Sequence, residues 1–240
     1  MSAGGSAQEP DSVVEIRHLF GESLAAEDPL ALVRTLAAIE TEAFGVDCSS
    51  YWEARPNFVE DVEGVCLAVQ DGETVGFLSY SHIEADSEVA LYLDAAAVLP
   101  RAQRQGVLRK VFEPPFKTFV RRGQRQFFVV ARTESPVIYQ AIATAPWVDT
   151  LFPTPGAIRP DEAHLRWARR ARQQLWPDLA LEEETLVLRS AHKHGSWHAQ
   201  LPVASSAATQ SFFAEDLKMH PGDALVIVAF ANLPPPRPRV

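Results

Sequence analysis

In one short stretch of the sequence, side chains that could transfer protons are followed by a loop that could bind an anion. In residues 88–98 the even-numbered positions include Glu88, Tyr92 and Asp94, whereas most odd-numbered positions are apolar. Successive side chains of a strand point to opposite faces, so this alternation predicts one core face and one face of ionisable groups. A loop with Gly106 and a helix follow. The start of this helix presents free backbone N–H groups and the positive end of the helix dipole, and both favour the binding of phosphate oxygens.

This loop and helix are basic, although the chain as a whole is acidic. The net charge is -9, which argues against binding to nucleic acid. Between residues 101 and 125, however, a single acid, Glu113, stands among eight basic residues, namely Arg101, Arg104, Arg109, Lys110, Lys117, Arg121, Arg122 and Arg125. The local charge predicts a site for one anionic ligand, with a solvated helix face as the alternative.

The segment from Pro100 to Leu108 resembles the cofactor motif of the GNAT N-acetyltransferase superfamily. That motif runs from a strand through a proline into Gln/Arg-x-x-Gly-x-Gly/Ala at the start of a helix. Here Pro100 and the run Gln-Arg-Gln-Gly-Val-Leu of residues 103–108 match it, with Leu108 at the position where the motif has Gly or Ala. The resemblance implies acetyl-CoA or another acyl-CoA as cosubstrate and no metal. It also implies that the pyrophosphate is held by Gln103, Arg104, Gln105, Gly106, Val107, Leu108 and Arg109.

The same resemblance implies roles for the end of the preceding strand. Backbone groups of Ala96, Ala97 and Val98 would pair with the pantetheine arm of the cosubstrate. The backbone N–H of Ala97 or Val98 would polarise the thioester carbonyl, at a point where two strands part.

Acyl transfer to an amine needs a group that accepts the amine proton and one that protonates the leaving thiolate. By resemblance, Tyr139 faces the cofactor sulfur as the acid, and the alternative is a tyrosine packed on the core beside Ile142. For the base we choose among Asp94, Glu88 and His82, with Asp94 first. Transfer of the proton to water, without a base, stays open.

The remaining candidates for metal or thiol chemistry are few. His192, His194 and His198 could reach one metal ion, but neither a cysteine nor a carboxylate completes a recognisable spacing, so we predict no metal site. Cys48 and Cys66 are expected to be buried thiols.

The elements that position these residues follow from hydrophobic periodicity and capping residues. We predict helices at residues 29–44, within 50–62, at about 103–122 and from Ser135, and strands at 65–70, 75–84, 88–98 and 126–131. A Pro-rich stretch, a helix at 161–175, a strand at 185–191, a short helix at 208–217 and a strand at 224–231 follow. The order predicts an α/β (α+β) fold, a GNAT-like mixed and mostly antiparallel central sheet flanked by helices, with an insertion before its last two strands.

The chain of 240 residues, 47% of them hydrophobic, is expected to form one domain over residues 13–232. A disordered N-terminus (1–12) and a Pro-rich tail (233–240) flank it. The sequence contains neither a long apolar run nor a signal peptide, so we expect a cytoplasmic protein without a membrane partner. The insertion, residues 145–184, could shape the substrate pocket, form a homodimer contact or only enlarge the core.

Two functions from different classes stay open. The first is an acyl-CoA-dependent N-acyltransferase, which passes an acetyl group to a small-molecule amine directly in a ternary complex. The second is a GNAT-shaped protein without catalysis that binds a metabolite or a protein partner.

Overall fold

The computed structural model of the chain describes residues 13–157, 159–192 and 196–233. The disorder predicted for residues 1–12 lies outside these ranges, as does the predicted tail apart from residue 233. Within them, no helix is both long and apolar enough to cross a membrane.

The described strands form one sheet. They are β1 (Glu15–Phe20), β2 (Gly64–Gln70), β3 (Glu73–Ala85), β4 (Glu88–Val98), β5 (Gln126–Thr133), β6 (Val148–Phe152), β7 (Leu181–Glu182), β8 (Val187–Leu188) and β9 (Ala224–Asn232). The strand order is β1-β2-β3-β4-β5-β9-β8-β7, and β6 also pairs with β9. Strands β4 and β5 run parallel, and the other described pairs are antiparallel. The predicted mixed, mostly antiparallel sheet is confirmed.

The described helices flank this sheet. They are α1 (Glu22–Ala25), α2 (Pro29–Phe44), α3 (Ser49–Glu53), α4 (Phe58–Asp61), α5 (Val107–Arg121), α6 (Pro136–Ala143), α7 (Glu162–Leu175) and α8 (Ala207–Ser211). A 3-10 turn spans Pro100–Ala102, and a π-helical turn spans Phe212–Asp216.

Local residue chemistry explains several of these boundaries. Asp28 caps α2 by accepting hydrogen bonds from the N–H groups of residues 30 and 31, and Ser135 caps α6 in the same way. Asp71 and Gly72 join β2 to β3 with positive φ at both positions, as a tight hairpin turn requires.

Some boundaries differ from the predicted ones for backbone reasons. Helix α5 begins at Val107 rather than near residue 103, because Arg104 and Gly106 have φ of 63° and 75°, which a right-handed helix does not admit. The strand predicted at 185–191 is shortened to β8, since Leu186 and Ser190 have φ of 55° and 51°. Strands β1, β6 and β7 add to the expected set.

Helices cover both faces of the sheet. Helices α2, α3 and α7 lie on one face, which we call the α3 face, and Trp52 of α3 meets Phe77 of β3 with 6.0 Å between ring centroids. Helices α5, α6 and α8 lie on the opposite face, the α5 face, where Phe119 stacks on Phe127 at 4.4 Å.

The insertion builds a second hydrophobic core. Trp167 of α7 and Trp176 after it are buried against Tyr92 of β4 and Val130 of β5, on the α3 face. The face of β4 expected to hold ionisable groups is therefore covered along much of its length. Residues of the predicted insertion thus enlarge the core, and its roles in the substrate pocket and in a homodimer contact stay predictions.

We predict that Trp167→Ala lowers the free energy of unfolding by about 3–5 kcal/mol, because Trp167 is 1% exposed at the centre of the second core. Urea unfolding followed by circular dichroism measures the change. Leu30→Ala, at a 67% exposed position of α2, is the control and should shift stability by less than about 0.5 kcal/mol. Equal stability of the two variants would contradict the assignment of α7 to the core.

Candidate functional site

Strands β4 and β5 pair over a short distance and then part. Their parallel pairing ends at Leu93 and Ala131, although β4 continues to Val98. On its other edge, β4 has a bulge at Asp94: Tyr80 of β3 pairs with Leu93, whereas the neighbouring Ser79 pairs with Ala95. A bulge bends its strand and redirects a side chain, and here it coincides with the point where the strands part.

A cavity of about 120 Å³ occupies the gap and is lined from both faces of the sheet. The α5 face contributes an apolar wall, formed by Leu78, Leu93, Phe112, Ala131, Ile138 and Ile142. The α3 face and the strand ends contribute polar and aromatic side chains, among them Glu40, Tyr51, Asp94, Arg132, Glu134, His192, Trp197 and His198. The gap is thus a passage with one apolar half and one polar half.

Asp94 is held firmly in the polar half. Its Oδ2 accepts hydrogen bonds from Arg55 Nη2 at 2.8 Å and from Ser79 Oγ at 3.1 Å. Arg55 Nη1 also donates to the Tyr51 hydroxyl at 2.6 Å, and its guanidinium lies 5.0 Å from the centre of the Phe58 ring. The charge of Asp94 is therefore balanced by a cation that is itself fixed by neighbouring aromatic rings.

Glu40 is a second cavity carboxyl group, and it was not among the sequence-predicted site residues. It lies on α2, it is 3% exposed, and its Oε2 accepts a hydrogen bond from Trp52 Nε1 at 2.7 Å. Burial raises the pKa of Glu40 to about 8, and the nearby charge of Asp94 adds to this effect. The sequence carried a signal: Glu40 follows Ile39 on the apolar stripe of an amphipathic helix, where glutamate is uncommon.

A segment that we call the strap, residues 196–206, lines part of the gap with Trp197 and His198. Glu134 Oε1 accepts hydrogen bonds from Ser196 Oγ at 2.9 Å and from the Trp197 N–H at 2.5 Å. The Ala199 N–H donates to the carbonyl oxygen of Phe44 at 2.9 Å. The strap is therefore attached both to α2 and to the turn between β5 and α6.

Two of the three histidines singled out by the sequence line the cavity. Burial lowers the pKa of His192 to about 3 and that of His198 to about 4, so both rings are neutral at physiological pH. The His198 ring contacts Phe44 and the His192 ring contacts Trp197. His194 lies outside the described residues, and among the described ones no set of three His, Cys, Asp or Glu side chains could hold a metal ion.

The loop before α5 has the geometry of an anion site. Gly106 is the N-cap of α5, and no side chain bonds to the helix end. The first helical bond from this end runs from Lys110 N to Gly106 O, so the N–H groups of Val107, Leu108 and Arg109 have no acceptor within the helix. These groups carry the positive end of the helix dipole.

Side chains around this loop divide into two groups. Within the described residues, Arg104, Arg109 and Lys110 are exposed and form no ion pair. Other cations of the basic segment are paired on the surface, such as Arg101 with Glu73 at 2.7 Å. Three cations without a carboxylate partner thus lie near the free N–H groups.

Two further residues of the predicted cosubstrate site have defined contacts. Leu108 is half-buried and packs against the main core, so its bulk is directed away from the loop. Gln103 Nε2 donates to the carbonyl oxygen of Val98 at 2.9 Å. That bond links the loop to the end of β4.

The structure brings Asp94 to the cavity but not the other predicted catalytic residues. Glu88 lies about 20 Å along β4 from Asp94 and pairs with Arg166 of α7. His82 pairs with Glu63 beneath α5. The Tyr139 hydroxyl donates to the carbonyl oxygen of Pro153 at 2.8 Å, behind the cavity wall.

We predict that Glu40 makes stability depend on pH. A folded-state pKa of about 8, above the usual 4.5, means that stability is full below about pH 4.5 and falls as pH rises to 8, by up to about 1.4 kcal/mol per pH unit. Urea unfolding at pH 5, 6.5 and 8 should show that the wild type loses stability by this slope relative to Glu40→Gln as pH rises. The difference between the two proteins isolates Glu40, because burial lowers the pKa of His192 and His198 and their effect on stability runs the opposite way below about pH 6.5.

The control is Glu42→Gln, which alters a 54% exposed side chain on the same helix. Its unfolding free energy should keep the wild-type slope. A Glu40→Gln protein that also keeps that slope would contradict the prediction.

No protein-family model and no curated protein matches the sequence. Solved structures do resemble the chain. A GNAT family N-acetyltransferase from Escherichia coli in complex with CoA has 16% identity and a TM-score of 0.41, over 56% of this chain and 71% of its own. An aminoglycoside acetyltransferase from an uncultured soil metagenomic sample has 22% identity and a TM-score of 0.43, over 55% and 88%.

A GNAT-family structure from Desulfovibrio desulfuricans covers 92% of this chain and 99% of its own, with 16% identity and a TM-score of 0.42. At these identities and TM-scores the similarity says nothing about activity, which we derive from the geometry of this chain.

Proposed function

We propose that the protein is an acyl-CoA-dependent N-acyltransferase that transfers an acyl group, most simply acetyl, to a small-molecule amine. One observation carries the proposal: a cavity lined from both faces passes between the parted strands β4 and β5. A direct transfer between two bound molecules needs such a meeting point, because the reacting atoms must come within about 3.5 Å of each other.

The loop before α5 supports the binding of an acyl-CoA. Its free N–H groups and the unpaired Arg104 and Arg109 suit a pyrophosphate, for which Gln103, Arg104, Gln105, Gly106, Val107, Leu108 and Arg109 form the proposed cradle. Leu108 fits this role through its N–H alone, because its side chain packs on the core.

The end of β4 supports a path for the pantetheine arm. Beyond Leu93, β4 has no pairing to β5, so the backbone groups of Ala96 and Val98, which point to that edge, are available to an amide-rich chain, whereas those of Ala97 point to Phe77 of β3. The Val98 carbonyl would first exchange its bond to Gln103. The acyl group would then reach the cavity, with the N–H of Val98 rather than that of Ala97 as the proposed donor to the thioester carbonyl.

The polar half of the cavity supports an amine as the acceptor. Carboxyl oxygens of Asp94 and Glu134 stand beside the rings of Tyr51 and Trp197, so hydrogen-bond acceptors and ring faces suited to an amine line this half. In the reaction, the amine nitrogen bonds to the thioester carbon, and the carbon–sulfur bond breaks with its electron pair going to sulfur. A cavity of about 120 Å³ favours a small acceptor. The role of Tyr139 as the acid that protonates the leaving thiolate stays a prediction.

The competing function is binding of a metabolite without catalysis. The bond between Tyr139 and Pro153 and the bond between Gln103 and Val98 favour it, because each engages a group that catalysis would use. Release of free thiol from acetyl-CoA in the presence of amines separates the two functions.

We predict that calorimetric titration detects binding of CoA, acetyl-CoA and a longer acyl-CoA. The double variant Arg104→Glu/Arg109→Glu should bind about tenfold more weakly or worse, because charge-assisted hydrogen bonds to phosphate are lost. Lys117→Glu is the control, since Lys117 lies on the same helix and pairs with Glu113. Its affinity should stay within about twofold of the wild type. No binding at millimolar ligand would overturn the proposed function.

A further inference from the structure

We infer that Glu40 is the catalytic base that receives the proton of the acceptor amine, a role that rests on the proposed acyl transfer. The sequence offered only Asp94, Glu88 and His82 for this task, and two of them lie away from the cavity. The carboxyl groups of Glu40, Asp94 and Glu134 line the cavity, and the base is the one that is free to accept a proton.

The bonding of Glu40 leaves one of its oxygens available. Oε2 accepts the hydrogen bond from Trp52 Nε1, which fixes the carboxyl plane. Within the described residues Oε1 makes no hydrogen bond, and Glu40 lines the cavity. A fixed carboxyl group with one free oxygen at the meeting point is the arrangement that a general base needs.

The other two cavity carboxylates already hold structural partners. Proton uptake by Asp94 would break its ion pair with Arg55 and leave a half-buried guanidinium without a counter-charge. Glu134 attaches the strap through Ser196 and Trp197. Asp94 and Glu134 thus each hold a part of the cavity wall in place, whereas Glu40 holds only the Trp52 side chain.

The cavity histidines are also poor acceptors. His192 and His198 are neutral, and burial lowers the pKa of both to about 3 and 4, so the folded protein resists their protonation. Arg132 nearby adds to this effect on His192.

The surroundings of Glu40 suit reversible proton transfer near neutral pH. Its pKa of about 8 is set by burial, lowered by the Trp52 hydrogen bond, raised by Asp94 on β4 and lowered by Arg55 after α3. Tyr51 on α3 and the Cys48 thiol before α3 also face it and are neutral, since burial raises the pKa of each. The ionised form, which accepts the proton, therefore grows as pH rises through about 8. The proton passes from the amine to Glu40 and then to solvent.

The kinetic test follows thiol release from acetyl-CoA with aniline and p-toluidine as probe acceptors, whose amino groups are unprotonated throughout the pH range and add no alkaline rise of their own. The wild type should show a rise in kcat/KM with an apparent pKa near 8. In Glu40→Gln this rise should vanish and kcat/KM should fall about a hundredfold. Asp94→Asn should lose rate but keep the rise. Glu42→Gln, on the exposed side of α2, should match the wild type.

A second measurement does not depend on the acceptor. The indole N–H signal of Trp52, assigned by its loss in Trp52→Phe, is followed by NMR with ¹⁵N-tryptophan between pH 6 and 9.5. It should titrate near pH 8 in the wild type and stay constant in Glu40→Gln, whose dispersed spectrum also verifies folding.

The outcomes separate this inference from the proposed function. A wild type that transfers acetyl groups, together with a Glu40→Gln variant that keeps the alkaline rise, overturns the role of Glu40 and leaves acyl transfer intact. A Trp52 signal that does not titrate overturns it as well. A wild type that neither binds acetyl-CoA nor releases thiol overturns both.

Discussion

The parting of β4 from β5 beyond Leu93 is the constraint on which the rest of the molecule depends. If the two parallel strands stayed paired, hydrogen bonds would join their facing edges and leave no passage between the two faces of the sheet. The bulge at Asp94 bends β4 away, and the broken pairing leaves backbone groups that need other partners. The loop at Gly106, the strap and the carboxyl groups of the cavity are all arranged around this opening.

The opening also concentrates buried charge, which a fold tolerates only with close pairing. Asp94 and Arg55 neutralise each other, and each makes one further hydrogen bond, Asp94 with Ser79 and Arg55 with Tyr51. Glu40 is accommodated differently, because its neutral form is favoured at neutral pH. The same wall thus holds one permanent ion pair and one group whose charge depends on conditions.

Features fixed by local chemistry could be predicted from the sequence, and features fixed by distant contacts could not. The hairpin at Asp71-Gly72, the cap at Ser135 and the turn at Gly106 follow from backbone preferences of single residues. Tyr139 lies in the helix where it was expected, but its hydroxyl points to the carbonyl oxygen of Pro153. Pro153 follows strand β6, which the proline-rich sequence there did not indicate. Periodicity places Glu40 on the buried stripe of α2, but its hydrogen-bond partner Trp52 comes from α3, a contact that periodicity does not reveal.

The strap has a consequence for how the protein comes into being. Its backbone bond joins Ala199 to Phe44 across 155 positions (199 minus 44), and cavity walls come from residues as far apart as Glu40 and His198. Contacts of such sequence separation form after local ones, because the loop they close must first lose its entropy. During synthesis, the sheet can begin to assemble before the strap is in place beside the passage. The protein therefore completes its binding chamber only after the strap has left the ribosome, later than the strands β4 and β5 between which the passage runs.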